Sequence, residues 1–163
     1  MITFERENNK FNFRVAGIAI QNNRVLLHTT QTDDFWNLPG GRVEFNESTD
    51  QTIVREFKEE LDIDVRIKEL FFVNEDFFEY DGKRYHEIGF YYLIDLPEGH
   101  ELTRTDEEFL GIEEGGKLIF KWFPLEQLDQ LHVYPDILKT ELFNLKDKNQ
   151  IKHYINDEYQ INS

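Results

Sequence analysis

The first forty residues alternate apolar and polar positions in the way that is typical of strands. The alternation runs through 11–20 and resumes over 24–29, after the short polar segment Gln21-Asn22-Asn23. Because successive side chains of a strand point to opposite faces, this pattern predicts two strands joined by a turn. The segment Pro39-Gly40-Gly41 then interrupts the chain before a helical pattern begins.

A second predicted hairpin joins 65–80 to 83–96 through Asp81-Gly82, a dipeptide that strongly favours a two-residue hairpin turn. In 83–96 both alternating sets are largely apolar, with His86, Ile88, Phe90, Tyr92 and Ile94 in one set and Tyr91 and Leu93 in the other. A strand that is apolar on both sides is covered on both sides. The pattern therefore predicts a mixed sheet between helices.

The remainder of the chain carries weaker patterns. The stretch 97–116 is long, acidic and without clear periodicity, and such stretches are often functional. A strand is predicted over 118–123 and helices over 125–131 and 135–145, so that a helical tail covers about 133–163. Since no repeat or linker divides the sequence, we expect one α/β domain over 1–163.

Between these sheet segments, 48–61 has helical periodicity. At roughly 100° per residue, Glu56, Glu59 and Glu60 fall within one arc of the helix. The apolar positions occupy a different arc, formed by Ile53, Val54, Phe57 and Leu61. The cations of this helix are Arg55 and Lys58, and we expect neither to project into the centre of the acidic arc.

Three carboxylates on one helix face can be interpreted in two ways. They are hard oxygen ligands of the kind that Mg²⁺ or Mn²⁺ prefers, together with substrate phosphates. A solvated acidic face would give the same pattern without any metal. The helix alone does not distinguish the two interpretations.

Composition narrows the classes of function. The chain has 163 residues and no cysteine, which excludes disulfides, thiolate catalysis and cysteine-ligated zinc. Its net charge of −15 repels nucleic-acid backbones, so we expect no nucleic-acid partner. A phosphate-bearing ligand could approach such a protein only with cations between the two sets of negative charge. Residues 1–10 have no apolar signal-peptide core, and we expect a cytoplasmic protein with no membrane partner.

The segment 41–63 resembles the signature box of the Nudix hydrolases, the MutT-like family, whose pattern is G-x5-E-x7-R-E-U-x-E-E-x-G-U with U a bulky apolar residue. Asp62 replaces the second glycine of the box, and aspartate tolerates the left-handed conformation better than most residues. The preceding Trp36-Asn37-Leu38-Pro39 also resembles the segment that precedes the box in this family. The matching positions are Gly41, Glu47, Arg55, Glu56, Phe57, Glu59, Glu60 and Ile63.

The resemblance implies a fold, a cofactor and site residues. It implies a Nudix-type α/β/α sandwich that uses Mg²⁺ or Mn²⁺. Glu56, Glu59 and Glu60 would be metal ligands, the last two also catalytic, and the Gly41 carbonyl would be a further ligand. By the same resemblance, we interpret Glu47 and Arg55 as an ion pair that steadies the junction of loop and helix.

The proton acceptor and the substrate contacts are less constrained. In this family the base is a box glutamate or a late-loop glutamate, and among Glu107, Glu108, Glu113 and Glu114 we favour Glu114 as catalytic, then Glu113. Trp36 could stack on a base, although it could equally belong to the core. Glu44 could contact substrate or act as an outer metal ligand, or it could be a solvated loop acid.

The resulting hypothesis is metal-dependent hydrolysis of a phosphoanhydride bond. The substrate class would be a nucleoside diphosphate linked to another group, or a nucleoside triphosphate. One alternative is a Nudix-like domain that senses a nucleotide without hydrolysing it, and another is an acidic metal-binding module without phosphate chemistry. Some relatives in this family resemble dimers, so a homodimer is among the expected assemblies.

Overall fold

A computed structural model describes residues 1–143 and 152–158 of the chain. Within these residues the strands are β1 Thr3–Arg6, β2 Asn9–Gln21, β3 Arg24–Thr29, β4 Trp36–Asn37, β5 Gly40–Arg42, β6 Arg66–Tyr80, β7 Lys83–Asp95, β8 Phe109–Leu110, β9 Ile119–Pro124, β10 Val133–Tyr134 and β11 His153–Asp157. They form one mixed sheet in the order β10-β4-β3-β2-β7-β6-β11. Beside this path, β1 and β5 pair with β2, β9 pairs with β3, and β8 pairs with β9. The helices are α1 Thr49–Leu61 and α2 Leu138–Glu141, with 3₁₀ turns at Glu101–Thr103, Glu113–Gly115 and Leu125–Gln130.

The two predicted hairpins are present. The turn between β6 and β7 has positive φ at both Asp81 (49°) and Gly82 (73°), as a two-residue hairpin turn requires. The turn between β2 and β3 has positive φ at Asn22 (52°) and Asn23 (59°). Strand β2 then pairs in parallel with β7, which joins the two hairpins into one mixed sheet.

Apolar clusters lie on both faces of this sheet. One face packs against α1 through Ile53, Phe57 and Leu61. The opposite face is covered by α2 and by the 3₁₀ turn Leu125–Gln130. The prediction that β7 is covered on both sides is confirmed, and with it the α/β/α sandwich.

The helical tail predicted for about 133–163 is wrong in part. Within the described residues, α-helix in the tail is confined to Leu138–Glu141, and His153–Asp157 is a strand that pairs in parallel with the sheet edge at β6. The polar tail has little apolar periodicity of its own, so its structure follows from the hydrogen-bonding edge that β6 offers. Residues 144–151 and 159–163 of the predicted tail lie outside the described part of the chain.

A hydrogen bond at its first turn and a left-handed residue after its last turn define the ends of helix α1. Gln51 Oε1 accepts a hydrogen bond from the Ser48 backbone N–H at 2.9 Å, one half of a capping box. At the other end Asp62 adopts the left-handed conformation (φ 54°, ψ 38°), which confirms that aspartate can replace the box glycine there. No helix in the described part of the chain is both long and apolar enough to span a bilayer.

One core residue predicts a pH dependence of stability. Burial, with the positive charge of Arg14 adding to it, lowers the pKa of His28 to about 3. The unfolded chain therefore binds more protons than the folded chain between about pH 6.5 and pH 3, so acidification through this range destabilises the fold. Between pH 6.5 and 5 the loss is about 2 kcal/mol from this group.

Replacing His28 by leucine is expected to remove that part of the acid sensitivity. Urea unfolding at pH 7 and pH 5 measures it, with the exposed His132→Gln variant as control. The same loss on acidification in wild type and His28→Leu would contradict the prediction.

Candidate active site

The box folds as the short strand β5, a loop and helix α1. Gly41 pairs with Val15 of β2, and its Cα faces the side chain of Glu56 so closely that a Cβ there would lie 2.2 Å from the Glu56 carboxyl carbon. A Cβ on Gly40 would lie 2.0 Å from the Val15 carbonyl oxygen. Gly40 is therefore required by close approach of backbone, whereas at Gly41 the absent Cβ leaves room for the Glu56 carboxylate against the backbone.

Three carboxylates converge beside this contact. Single oxygens of Glu56, Glu59 and Glu113 all lie within 4.8 Å of one another. Glu113 reaches the helix because the Ile112 N–H donates to the Glu60 carbonyl at 2.8 Å, which docks the 3₁₀ turn Glu113–Gly115 onto the end of α1. Of the acids considered in the late loop, the structure therefore brings Glu113 to the helix.

Because Glu60 shares the helical arc of Glu56 and Glu59, we would expect it to be accessible to solvent and metal as Glu59 is, and this expectation is wrong. The residue is 5% exposed, and its Oε2 has no hydrogen-bond partner among the described residues. Glu60 follows Phe57 by three positions, which places it beside the buried stripe of the helix. Burial raises the pKa of Glu60 to about 8, the charge of Glu56 adds to the rise, and Arg14 opposes it.

The expectation that Arg55 stays out of the acidic arc is also wrong. Its Nη1 donates to Glu56 Oε1 at 2.8 Å and to Glu59 Oε2 at 3.2 Å. Its Nε and Nη2 meanwhile donate to the two Glu47 carboxylate oxygens at 2.8 and 3.0 Å. The long planar guanidinium thus contacts three carboxylates at once, which position on a helical wheel does not reveal.

Glu47 and Arg55 form a bidentate ion pair at the junction of loop and helix. Hydrogen bonding from Arg55 lowers the pKa of Glu47 to about 2, and the same contact raises the pKa of Arg55. Thr52 donates to Glu47 Oε1 at 2.7 Å, and Arg55 Nη2 also donates to the Arg42 carbonyl at 3.1 Å. These bonds tie β5, the loop and α1 into one unit.

A cavity of about 260 Å³ lies beside this unit, over the sheet. Arg14 and Arg42 line it on β2 and β5, and Arg14 lies close enough to Glu60 for its charge to lower the pKa of that carboxyl. The other walls combine aromatic rings and acids: Phe35, Phe78, Tyr80, Tyr85, Tyr91, Tyr134, Asp33, Asp76, Glu79 and Glu87. The cavity can therefore hold a ligand with an anionic end near the arginines and an aromatic end away from them.

The structure places the remaining predicted residues as follows. Trp36 packs against Phe123, with ring centroids 4.7 Å apart, and its neighbour Phe35 lines the cavity instead. Glu44 accepts from the N-terminal ammonium at 2.5 Å. The side chain of Glu114 lies outside the described part of the structure, so its predicted catalytic role stays a prediction.

Several cavity residues carry charge although they lie in largely apolar strands. Glu87 is 8% exposed and lines the cavity with Asp76. Arg14 was not singled out. A usable signal was the occurrence of charged residues in otherwise apolar strands, which is rare unless they are paired or functional.

Comparisons with known proteins identify the family of the chain. A family model described as NUDIX domain matches residues 11–141. An ADP-ribose pyrophosphatase of Methanocaldococcus jannaschii is 32% identical over 113 residues, which are 65% of this chain and 65% of that protein, so the match spans somewhat less than two thirds of the relative.

Solved structures share the fold. A NUDIX hydrolase from Nitrosomonas europaea superposes with a TM-score of 0.60 at 19% identity, covering 90% of this chain and 79% of the other. An ADP-ribose pyrophosphatase from Streptococcus suis gives 0.57 at 15% identity, covering 89% and 98%. With a matching family model over most of its length, the chain belongs to the Nudix family.

Proposed function

We propose that the protein hydrolyses a phosphoanhydride bond in a nucleoside diphosphate linked to another group, or in a nucleoside triphosphate, with Mg²⁺ or Mn²⁺. The observation that carries this proposal is the convergence of Glu56, Glu59 and Glu113 within 4.8 Å. The cavity lined by Arg14 and Arg42 lies over the other face of the sheet, and Arg14 is close enough to Glu60 for its charge to act on that carboxyl. Arg55 offsets part of the repulsion among these three carboxylates through its hydrogen bonds to Glu56 and Glu59, and a bound divalent cation would offset the remainder.

The donor set fits a hard divalent cation. Every candidate ligand is a carboxylate oxygen or, at Gly41, a backbone carbonyl, which are the ligands that Mg²⁺ and Mn²⁺ prefer. Buried Glu60 has an oxygen without a hydrogen-bond partner among the described residues, and a bound cation would satisfy it. Glu56, Glu59, Glu60 and Glu113 would hold the cation, which when bound screens phosphate charge and makes phosphorus more susceptible to water.

The other residues bind and orient the substrate. Arg14 and Arg42 suit the phosphate oxygens, because guanidinium groups donate paired hydrogen bonds to such anions. Glu113 lies on a loop that approaches the helix acids, and it would accept the proton from the attacking water. Arg55 holds Glu56 and Glu59 in place through its hydrogen bonds, and Glu47 holds Arg55.

The relatives support the substrate class. Proteins named ADP-ribose pyrophosphatase occur among both the sequence relatives and the fold relatives. ADP-ribose is a nucleoside diphosphate linked to a sugar, and its adenine would suit the aromatic walls of the cavity. The single domain over 1–163, the cytoplasmic location and the homodimer stay predictions.

A substrate panel tests the proposal. ADP-ribose, nucleotide sugars and nucleoside triphosphates are incubated with the protein and Mg²⁺, Mn²⁺ or EDTA, and released nucleoside monophosphate and pyrophosphate are measured by ³¹P NMR. We expect metal-dependent cleavage between two phosphorus atoms of at least one compound. Saturable binding without turnover in either metal would contradict the proposal and favour a nucleotide-sensing domain.

Replacing Glu113 by glutamine is expected to lower kcat about tenfold to a hundredfold, because one anionic ligand or proton acceptor is lost. The matched control is Glu108→Gln, an exposed acid of the same loop that is not in the carboxylate cluster. Steady-state kinetics on the substrate found above measures both variants. Equal losses in the two would assign the effect to loop charge and contradict a specific role for Glu113.

A further inference from the structure

A row of polar side chains crosses the sheet beneath the cavity. Thr3, Asn12, Glu87, Asp76 and Asn156 lie directly opposite one another on the adjacent strands β1, β2, β7, β6 and β11. The middle three are almost fully buried, at 4%, 8% and 5% exposure. A buried polar row across five strands is costly unless its groups are satisfied, so its partners need an explanation.

The outer members of the row hold the inner ones. Asn156 Nδ2 donates to Asp76 Oδ1 at 2.7 Å, and Asn12 Nδ2 donates to Glu87 Oε2 at 3.3 Å. The Thr3 hydroxyl oxygen lies 2.8 Å from Asn12 Oδ1 and 2.7 Å from the Phe11 carbonyl oxygen, so it lies within hydrogen-bond distance of both. Each carboxylate thus takes one side-chain hydrogen bond from its outer side, and the backbone of Phe77 also bonds to Asp76.

The two carboxylates are neighbours of like charge. Directly opposite acids on adjacent strands repel each other, and both line the cavity. Burial raises the pKa of Asp76 to about 6, and the charge of Glu87 contributes to the rise. Burial also raises the pKa of Glu87, against which Arg14 and the Asn12 hydrogen bond act. A ligand that donates hydrogen bonds to both would offset this cost.

The position of the pair within the cavity indicates which part of a ligand it meets. Arg14 of β2 lies opposite Gly89 of β7, two residues from Glu87, and its charge acts on both Glu60 and Glu87. Two residues further along β6 and β7, on the side of the pair away from Arg14, Phe78 and Tyr85 stack with their ring centroids 5.0 Å apart. A ligand with its phosphates at Arg14 would therefore place its planar, ring-contacting end over Asp76 and Glu87.

We propose that Asp76 and Glu87 form the base-reading element of the cavity, which selects a nucleobase that carries an exocyclic amino group. The amino hydrogens would donate to the carboxylates where these line the cavity, while Asn12 and Asn156 position the carboxylates from either side. This rests on the proposed function only in assigning the cavity to the nucleoside end of the substrate. It also gives the C-terminal strand β11 a role in the site, through Asn156.

The test uses binding of nucleoside 5′-monophosphates in EDTA, so that no hydrolysis or metal is involved. Two ligand pairs differ only by the amino group: AMP against purine riboside monophosphate, and GMP against IMP. In isothermal titrations we expect at least one amino-bearing member to bind about tenfold or more tightly than its partner. A site built around a hydrogen bond rejects the analogue that lacks it, because its buried acceptors are left unpaired.

Amide variants test the two carboxylates. In Asp76→Asn and Glu87→Gln the outer asparagine can still donate to the remaining oxygen, which turns the new NH₂ group towards the ligand. Donor then meets donor, so the preference for the amino-bearing member should fall to within about twofold. The matched control is Glu79→Gln, an exposed acid that lines the same cavity, and it should keep the preference.

Asn156→Ala tests the positioning residue. We expect the preference for the amino group to fall several-fold while the affinity for the amino-less ligand stays the same, an asymmetry that a general loss of structure would not produce. Circular dichroism and thermal melts check the fold of each variant.

Three outcomes would overturn the inference: no measurable monophosphate binding, equal binding within both ligand pairs, or a preference that survives both amide variants. If the titrations show no amino preference while metal-dependent turnover is observed, only the base-reading role is ruled out, because the titrations contain no metal. If the wild-type protein shows the amino preference but no turnover, only the proposed hydrolysis is ruled out.

Discussion

Replacing Glu60 by glutamine is expected to lower kcat by about three orders of magnitude, which corresponds to about 4 kcal/mol of transition-state stabilisation. Glu60 is buried on the same helix as Glu56 and Glu59, and one of its oxygens has no hydrogen-bond partner in the part of the chain that the structure describes. An amide of the same shape keeps the packing but removes the anionic ligand that balances a divalent cation. The loss should appear in kcat rather than in folding.

The stability of the metal-free protein separates these effects. Because burial keeps the Glu60 carboxyl largely protonated at pH 7, the neutral amide should leave the free energy of unfolding within about 1 kcal/mol of wild type. Asp64→Asn, an exposed acid just after the helix, is the matched control and should retain full activity. Full activity in Glu60→Gln, or unfolding of that variant, would contradict the role of Glu60.

Replacing Gly41 by alanine is expected to lower kcat about a hundredfold with little loss of stability. The added methyl would lie 2.2 Å from the carboxyl carbon of Glu56, so that side chain must move. Its carboxylate is the end of a flexible chain and can be displaced without disturbing the core. Displacement of the Glu56 carboxylate separates it from Glu59 and Glu113. Small displacements of active-site groups lower the reaction rate strongly.

Gly82→Ala is the control for that substitution. Its Cβ would have no heavy atom within 4 Å, and Gly82 lies in the turn between β6 and β7, so only the cost of its positive φ is expected. Steady-state kinetics and urea unfolding of both variants measure the contrast. An active Gly41→Ala would show that the position of Glu56 does not matter for catalysis.

The parts of the fold that followed from sequence depend on neighbours along the chain. Helix α1 has a 3.6-residue period, a capping glutamine at Gln51 and a tolerated left-handed Asp62. The turn at Asp81-Gly82 is likewise determined by its own two residues. Local backbone preferences are readable from a single sequence because they need no tertiary partner.

The parts that did not follow depend on long-range contacts. Strand β11 forms because β6 leaves an edge to pair with, and nothing in its polar sequence indicates that edge. Glu113 joins the helix acids through one backbone hydrogen bond, from Ile112 to Glu60, across more than fifty residues. The reach of Arg55 over Glu56 depends on side-chain length rather than on helical position. In each case spatial proximity, not sequence spacing, determines the contact.

The candidate site shows the same division. The helix acids were identified from spacing and from the resemblance of 41–63 to the family box. The burial of Glu60 escaped notice because a helical wheel shows direction but not how closely the sheet approaches. The buried pair Asp76 and Glu87 became visible only when the register of β6 and β7 was known.

The most direct test of the carboxylate cluster is a Mn²⁺ titration of the metal-free protein, with free Mn²⁺ followed by electron paramagnetic resonance. We expect saturable binding to wild type and to Asp64→Asn. Binding should be at least about tenfold weaker in Glu56→Gln and in Glu59→Gln, because each removes a charged oxygen ligand. Equal Mn²⁺ affinity in all four proteins would contradict a metal site at these glutamates.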